Sequence, residues 1–170
     1  MNSAETSATP GIPLFRQQAK IIDSTVRANL DGISHQDSLI QPEPAGSCLN
    51  WVLGHLTHTY EIALPLVKQE SVLVEGALKR YERGSPPVEE GTDAWHFQDL
   101  LNAWEEAAKR FDSGLQTLSR ADLDESGDYF GSGSETTLAR CLNFIHFHQA
   151  YHSGQLGVLR RMTGKRGAIR

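Results

Sequence analysis

Apolar residues recur at spacings of three and four in four separate stretches, and each stretch predicts an amphipathic helix. In the first, Phe15, Ala19, Ile22, Val26, Leu30 and Ile33 form one stripe. Pro13 suits the first helical position, where its missing N–H costs nothing. Gly32 and the polar run from Ser34 to Ser38 end that helix, and Gln41-Pro-Glu-Pro-Ala-Gly46 reads as a loop. The second helix is expected to open at Ser47 as N-cap, with Cys48, Trp51, Val52, His55, Thr59, Ile62 and Leu66 on one face. Pro65 removes a backbone donor and should bend this helix or loosen its last turn. A long connection over 71–91, containing Gly84-Ser-Pro-Pro87, suits a crossover better than a tight hairpin. Phe97, Leu100, Leu101, Trp104, Ala108, Phe111, Leu115 and Leu118 mark the third helix. After a Gly-rich loop over 127–133, Ser132-Gly-Ser-Glu135 matches a capping box and predicts the start of a fourth helix, which runs to Thr163 with Gly164 as its stop. No strand pattern of useful length appears. The fold class this implies is all-α, a four-helix bundle.

Composition narrows the class. The 170 residues favour one domain, and 39% hydrophobic against 22% charged is a globular balance. The expected division is an N-terminal arm over 1–11, a helical domain over 12–165 and a basic tail over 166–170. A net charge of −5 gives no basic footprint for nucleic acid, and no apolar run is long enough to span a membrane. Met1 to Pro10 lacks the basic start and apolar stretch of a signal peptide, so a cytoplasmic location is expected. Two cysteines, Cys48 and Cys141, are too few for a disulfide scaffold.

Histidine is the residue that changes the picture, with seven in the chain and three between 146 and 152. On a helical wheel centred on His148, His152 lies near 40° and Gln155 near −20°, among Cys141, Phe144, Ile145 and Leu159. By the same projection His146, near 160°, faces solvent. His55 sits in the middle of the second helix's stripe, with His58 about 60° to one side and Glu61 about 120° away. An i, i+4 histidine pair can ligate one metal ion, and a third imidazole from a facing helix completes three of four tetrahedral positions. The alternative is a set of buried histidines bonded to neighbours, for which Thr59, Tyr151 and Gln155 are the nearby candidates. Leaving such groups unpaired would cost about 1–3 kcal/mol each.

Asn50-Trp-Val-Leu-Gly-His-Leu56, followed by His148-Gln-Ala-Tyr-His-Ser-Gly-Gln-Leu156, resembles the paired signature of the DinB/YfiT-like metalloenzyme superfamily. The resemblance covers residues 12–165. It implies an up-down-down-up bundle with a long crossover between the second and third helices, and a metal held by His55, His148 and His152. His58 and His146 do not match ligand positions. It implies a divalent transition metal, zinc or nickel, and chemistry in which a low-molecular-weight thiol or water is activated for transfer to a small substrate. A thiol S-transferase or a hydrolase is therefore expected, with Gln155, Tyr151, Thr59 and His58 as residues that orient the ligands or meet substrate. A homodimer is also in keeping with the family. The competing readings are a non-catalytic metal- or ligand-binding bundle, which a fourth protein ligand such as His58 would favour, and a helical interaction module with inert histidines.

Cys48 and Cys141 each precede a candidate ligand by seven residues, about 10 Å of helix. With the second and fourth helices antiparallel, as the resemblance implies, the thiols would lie about 20 Å apart, beyond the ~7 Å limit for a disulfide. Both are expected to be free. Arg160, Arg161, Lys165, Arg166 and Arg170 are read as cations that complement the negative end of the fourth helix and solvate a tail. Trp51 is read as a core residue.

Overall fold

A computed structural model describes residues 11–43, 46–88, 94–129, 131 and 133–168. Four long helices carry the architecture: α1 (Ile12–Leu30), α3 (Leu49–Ala63), α4 (Phe97–Thr117) and α6 (Leu138–Met162). Two single-turn helices, α2 (His35–Ser38) and α5 (Arg120–Asp124), lie between them. Each opens on a reciprocal capping box, Ser34 with Asp37 and Ser119 with Asp122. These short turns were not expected, because one turn is too short to show a period. A two-residue antiparallel bridge, β1 (Ser126–Gly127) with β2 (Thr136–Thr137), leads into α6. No helix among the described residues is long and apolar enough to cross a membrane.

The apolar stripes of α1 and α4 fall where the sequence places them. Phe15, Ala19, Ile22, Val26 and Leu30 are buried on α1, and Phe97, Leu100, Trp104, Ala108, Phe111 and Leu115 on α4. Cross-helix contacts give the directions. Arg16 pairs with Asp112 and Arg27 with Glu105, so α1 and α4 run antiparallel. Phe15 stacks near His146 while Asn29 Nδ2 donates to the Ser153 carbonyl, so α1 and α6 run parallel. Tyr60 meets Phe111 and Asn50 Nδ2 donates to the Trp95 carbonyl, so α3 runs parallel to α4.

Two helix starts differ from expectation. α3 is capped by Cys48, one residue after Ser47. α6 begins at Leu138 with Thr137 Oγ1 accepting from the Arg140 N–H, because the preceding residues are taken up by the bridge to β1. Ser132 of the expected capping box lies outside the described residues. Pro65 acts as anticipated, turning the end of α3 into a 3-10 turn over Pro65–Val67. At the far end, Gly164 takes φ 79°, the left-handed conformation of a helix stop. Arg160 does not serve only its own helix: its guanidinium donates to the Asn29 and Asp31 carbonyls and so caps α1. Lys165 pairs with Asp37.

α3 is buried nearly all round, and the reason is the long connection. Leu78, Tyr81 and Val88 are buried core residues of that segment. The connection is pinned at its start by Glu61, whose carboxylate accepts the Val72 and Leu73 N–H groups at 3.1 Å. Tyr81 packs on Gly54, where a Cβ would lie 2.2 Å from its ring. Its hydroxyl donates to Asn50 Oδ1 at 3.0 Å and accepts from the Trp95 N–H at 2.8 Å. The glycine before His55 therefore admits a fully buried tyrosine.

A candidate metal centre at the α3–α6 seam

α3 contributes His55 and α6 contributes His148 and His152, one turn apart. Their ring centroids lie 4.9, 4.8 and 4.5 Å from one another. One nitrogen from each can be chosen so that all three lie within 4.8 Å, a group able to hold a metal ion. His55 Nε2 is 3.1 Å from His148 Nε2. Two imidazole lone pairs keep that separation only with a proton or a cation between them. A tetrahedral ion with metal–nitrogen bonds of about 2.0–2.1 Å would hold nitrogens about 3.3 Å apart, close to the 3.1 Å between these two.

The other ring nitrogen of each histidine meets a fixed acceptor. His55 Nδ1 donates to the Tyr81 carbonyl at 2.8 Å. His152 Nδ1 donates to Gln155 Oε1 at 2.6 Å. His148 Nδ1 lies 3.5 Å from Thr59 Oγ1, whose own proton goes to the His55 carbonyl at 3.0 Å, leaving that oxygen to accept. Protons held on Nδ1 leave the three Nε2 atoms as lone-pair donors, the state a metal requires. Burial disfavours the charged form of all three: His148 is pushed down to about 4, helped by its two neighbours, and His55 and His152 are also lowered. The rings are neutral at pH 7.

The seam is not the centre of the core. The buried face of α6 runs through Leu142, Ile145, His146, Gln149, Ser153 and Leu156, centred about 100° from His148. His148 and His152 are thus half-buried at one edge, and Phe144 points outward at 49% exposure. On α3, Ile62 likewise stands outside the core at 60% exposure, where the sequence placed it inside. The wheel misleads because the core face of α6 contains polar residues. Gln149 donates to the Leu56 carbonyl at 3.1 Å and the Ser153 carbonyl accepts from Asn29, so polarity does not mark the solvent side there.

His146 is the sharpest departure. Expected in solvent, it is 3% exposed, about 60° from the true centre of the stripe. Its ring lies 5.7 Å from Phe15 and 6.0 Å from Phe111, and neither nitrogen has a hydrogen-bond partner among the described residues. Burial pushes its pKa down to about 4.

The remaining candidates separate cleanly. Thr59 and Gln155 sit against the triad, and Tyr151 meets the His152 ring edge-on at 5.1 Å with 58% exposure. His58 does not join the ligand group; it borders a separate hollow. Glu61 is committed to the connection. Trp51 is only half-buried: it stacks on His55 at 4.7 Å and donates to Ser85 Oγ at 2.8 Å, holding the ring from the outer side. Tyr81 escaped the sequence reading altogether, since a backbone carbonyl has no signature in side-chain pattern. Both cysteines are free and buried, as expected.

The model of the DinB superfamily matches residues 22–156. No curated protein matches the chain. Among solved structures, the crystal structure of a conserved protein from Enterococcus faecalis is similar in fold, with a TM-score of 0.69 at 16% identity, over 90% of this chain and 97% of that one.

Proposed function

Given that the chain belongs to the DinB superfamily, we propose that it is a metal-dependent enzyme that activates a low-molecular-weight thiol or water for transfer to a small substrate. The observation that carries this reading is the arrangement of the three imidazoles, each with Nδ1 turned to an acceptor and Nε2 left for a shared ion. The residues that would hold the ion are His55, His148 and His152, and their donor set suits zinc or nickel. A divalent cation on three neutral ligands supplies its full positive charge, which lowers the pKa of a thiol or water beside it. Tyr81, Thr59 and Gln155 orient the ligands, and Trp51 backs the His55 ring. No fourth histidine, cysteine or carboxylate joins the group among the described residues, which supports an open position rather than a closed structural site.

Among the described residues, no carboxylate belongs to the ligand group to act as a base, and Glu61 is occupied elsewhere. This favours a thiol, which ionises near a reference pKa of about 8.5, over water at about 15.7. We also read the four long helices as an up-down-down-up bundle, supported by the parallel α1–α6 and α3–α4 pairs and the antiparallel α1–α4 pair. The test is turnover by zinc- or nickel-loaded protein with glutathione, mycothiol or bacillithiol and a panel of electrophiles. Loss of turnover together with bound metal in His152→Ala supports the reading; turnover undiminished in that variant contradicts it.

A further inference from the structure

Two hollows compete for the substrate. The larger, about 520 Å³, is bordered by His58, Glu75, Lys79 and Glu82 and touches none of the three imidazoles. The smaller, about 270 Å³, is bordered by His152 and Gln155 themselves and by Trp51, which stacks on His55. Its other walls include Pro42, Ser47, Val52, Val158 and Leu159, and none of the described residues bordering it carries a formal charge. That volume exceeds the roughly 150 Å³ of an apolar cavity that admits benzene, leaving room for a single ring with a short substituent. A cationic group placed against these walls would lose hydration with no carboxylate among the described lining residues to replace it.

Gln155 adds direction. Its Oε1 accepts from His152 Nδ1 at 2.6 Å, which fixes the amide's orientation and leaves the two N–H donors of Nε2 and one lone pair of Oε1. A ligand in this open hollow therefore meets mostly apolar walls, with the Gln155 amide beside the metal ligands and the Ser47 hydroxyl also on its border. From these walls, this size and this donor, we infer that the hollow between Trp51, Gln155 and Val158 binds the acceptor substrate of the proposed transfer, an uncharged ring-sized apolar molecule bearing one hydrogen-bond acceptor oxygen. The inference rests on the proposed function for the word substrate, while the hollow and its selectivity are properties of this chain's own residues.

The probes are acetophenone, ethylbenzene and benzamidinium, which share a ring and differ in acceptor and charge. Binding is followed by NMR shifts of the Trp51 indole N–H, the Gln155 side-chain amide and the Val158 methyls, in zinc-free and zinc-loaded protein. Acetophenone should saturate these three signals, ethylbenzene should bind about fivefold more weakly for want of the acceptor, and benzamidinium should not bind. Gln155→Glu replaces the donor with a charged acceptor, so acetophenone, which loses its hydrogen bond as well, should weaken about fivefold more than ethylbenzene does. Val158→Glu, at a position already 58% exposed, should weaken both neutral probes and spare zinc. Benzamidinium binding as well as acetophenone, or acetophenone binding Gln155→Glu as tightly as wild type, overturns the inference. Zinc uptake with no probe response overturns this inference alone. Probe binding in a protein that takes up no zinc overturns the metal reading and the substrate assignment with it.

Discussion

Helix α6 carries histidines in two opposite situations within seven residues. His148 and His152 stand half-buried at the edge facing α3, each with Nδ1 set against an acceptor, in a group with His55 able to hold a metal ion. His146 is buried between Phe15 and Phe111, and among the described residues neither nitrogen has a partner. Burial pushes His146 and His148 down to the same pKa, about 4, so a depressed basicity does not tell them apart. What separates a candidate ligand from a core histidine is where its second nitrogen goes.

The widest contrast should come from removing one member of each class. His148→Ala is expected to weaken zinc binding by more than about 100-fold, since losing even a residue that orients a ligand costs about 10–100-fold. His146→Leu should leave zinc affinity unchanged in the same chelator-competition titration. Gly54→Ala attacks the triad from behind. Its Cβ would fall 2.2 Å from the buried Tyr81 ring, so a stability loss of about 1–3 kcal/mol is expected in urea unfolding, with weaker zinc binding as the Tyr81 carbonyl shifts from His55.

Asp23 supplies a titrating group that has a partner, unlike His146. Burial holds its carboxyl up to about 6, against the opposing hydrogen bond from the Tyr60 hydroxyl at 2.7 Å. Between pH 4 and 6 the folded chain keeps a proton that the unfolded chain releases, so stability from this group is full at low pH and lost as pH rises through 6. Asp23→Asn, which retains an oxygen for Tyr60, should gain on the order of 2 kcal/mol at pH 7 and little at pH 4. Gln155→Leu, which frees the His152 ring, should lower zinc affinity about tenfold. The smallest effect is on stability in His146→Leu, a gain of about 1 kcal/mol because two unpaired buried nitrogens disappear. A loss of several kcal/mol there would mean that His146 has a partner after all.

Much of this was legible from spacing. The stripes of α1 and α4 follow a clean period because each helix buries one apolar face. The two motifs also bring His55, His148 and His152 together. α3 and α6 were harder, for different reasons. α3 is covered on a further side by the connection, so its buried set exceeds any single stripe. α6 buries Gln149, Ser153 and His146, and a wheel anchored on His148 turns that face by about 100°. The triad survived the error because edge residues of two facing stripes meet at a seam as readily as central ones. Tyr81 and the caps of α2 and α5 were hidden because they depend on one carbonyl or one turn, which leaves no periodic trace.

The central claim is that three Nε2 atoms share one ion while each Nδ1 keeps its proton, directed at its acceptor. Long-range proton–nitrogen correlations of the seven imidazoles, recorded as zinc is added to the labelled protein at pH 7, read it directly. The account predicts Nε2 changes at His55, His148 and His152 together, saturating at one ion per chain, with Nδ1 protonated in each and His146 unmoved. Coordination through Nδ1, or no saturable change at these three rings, would contradict it.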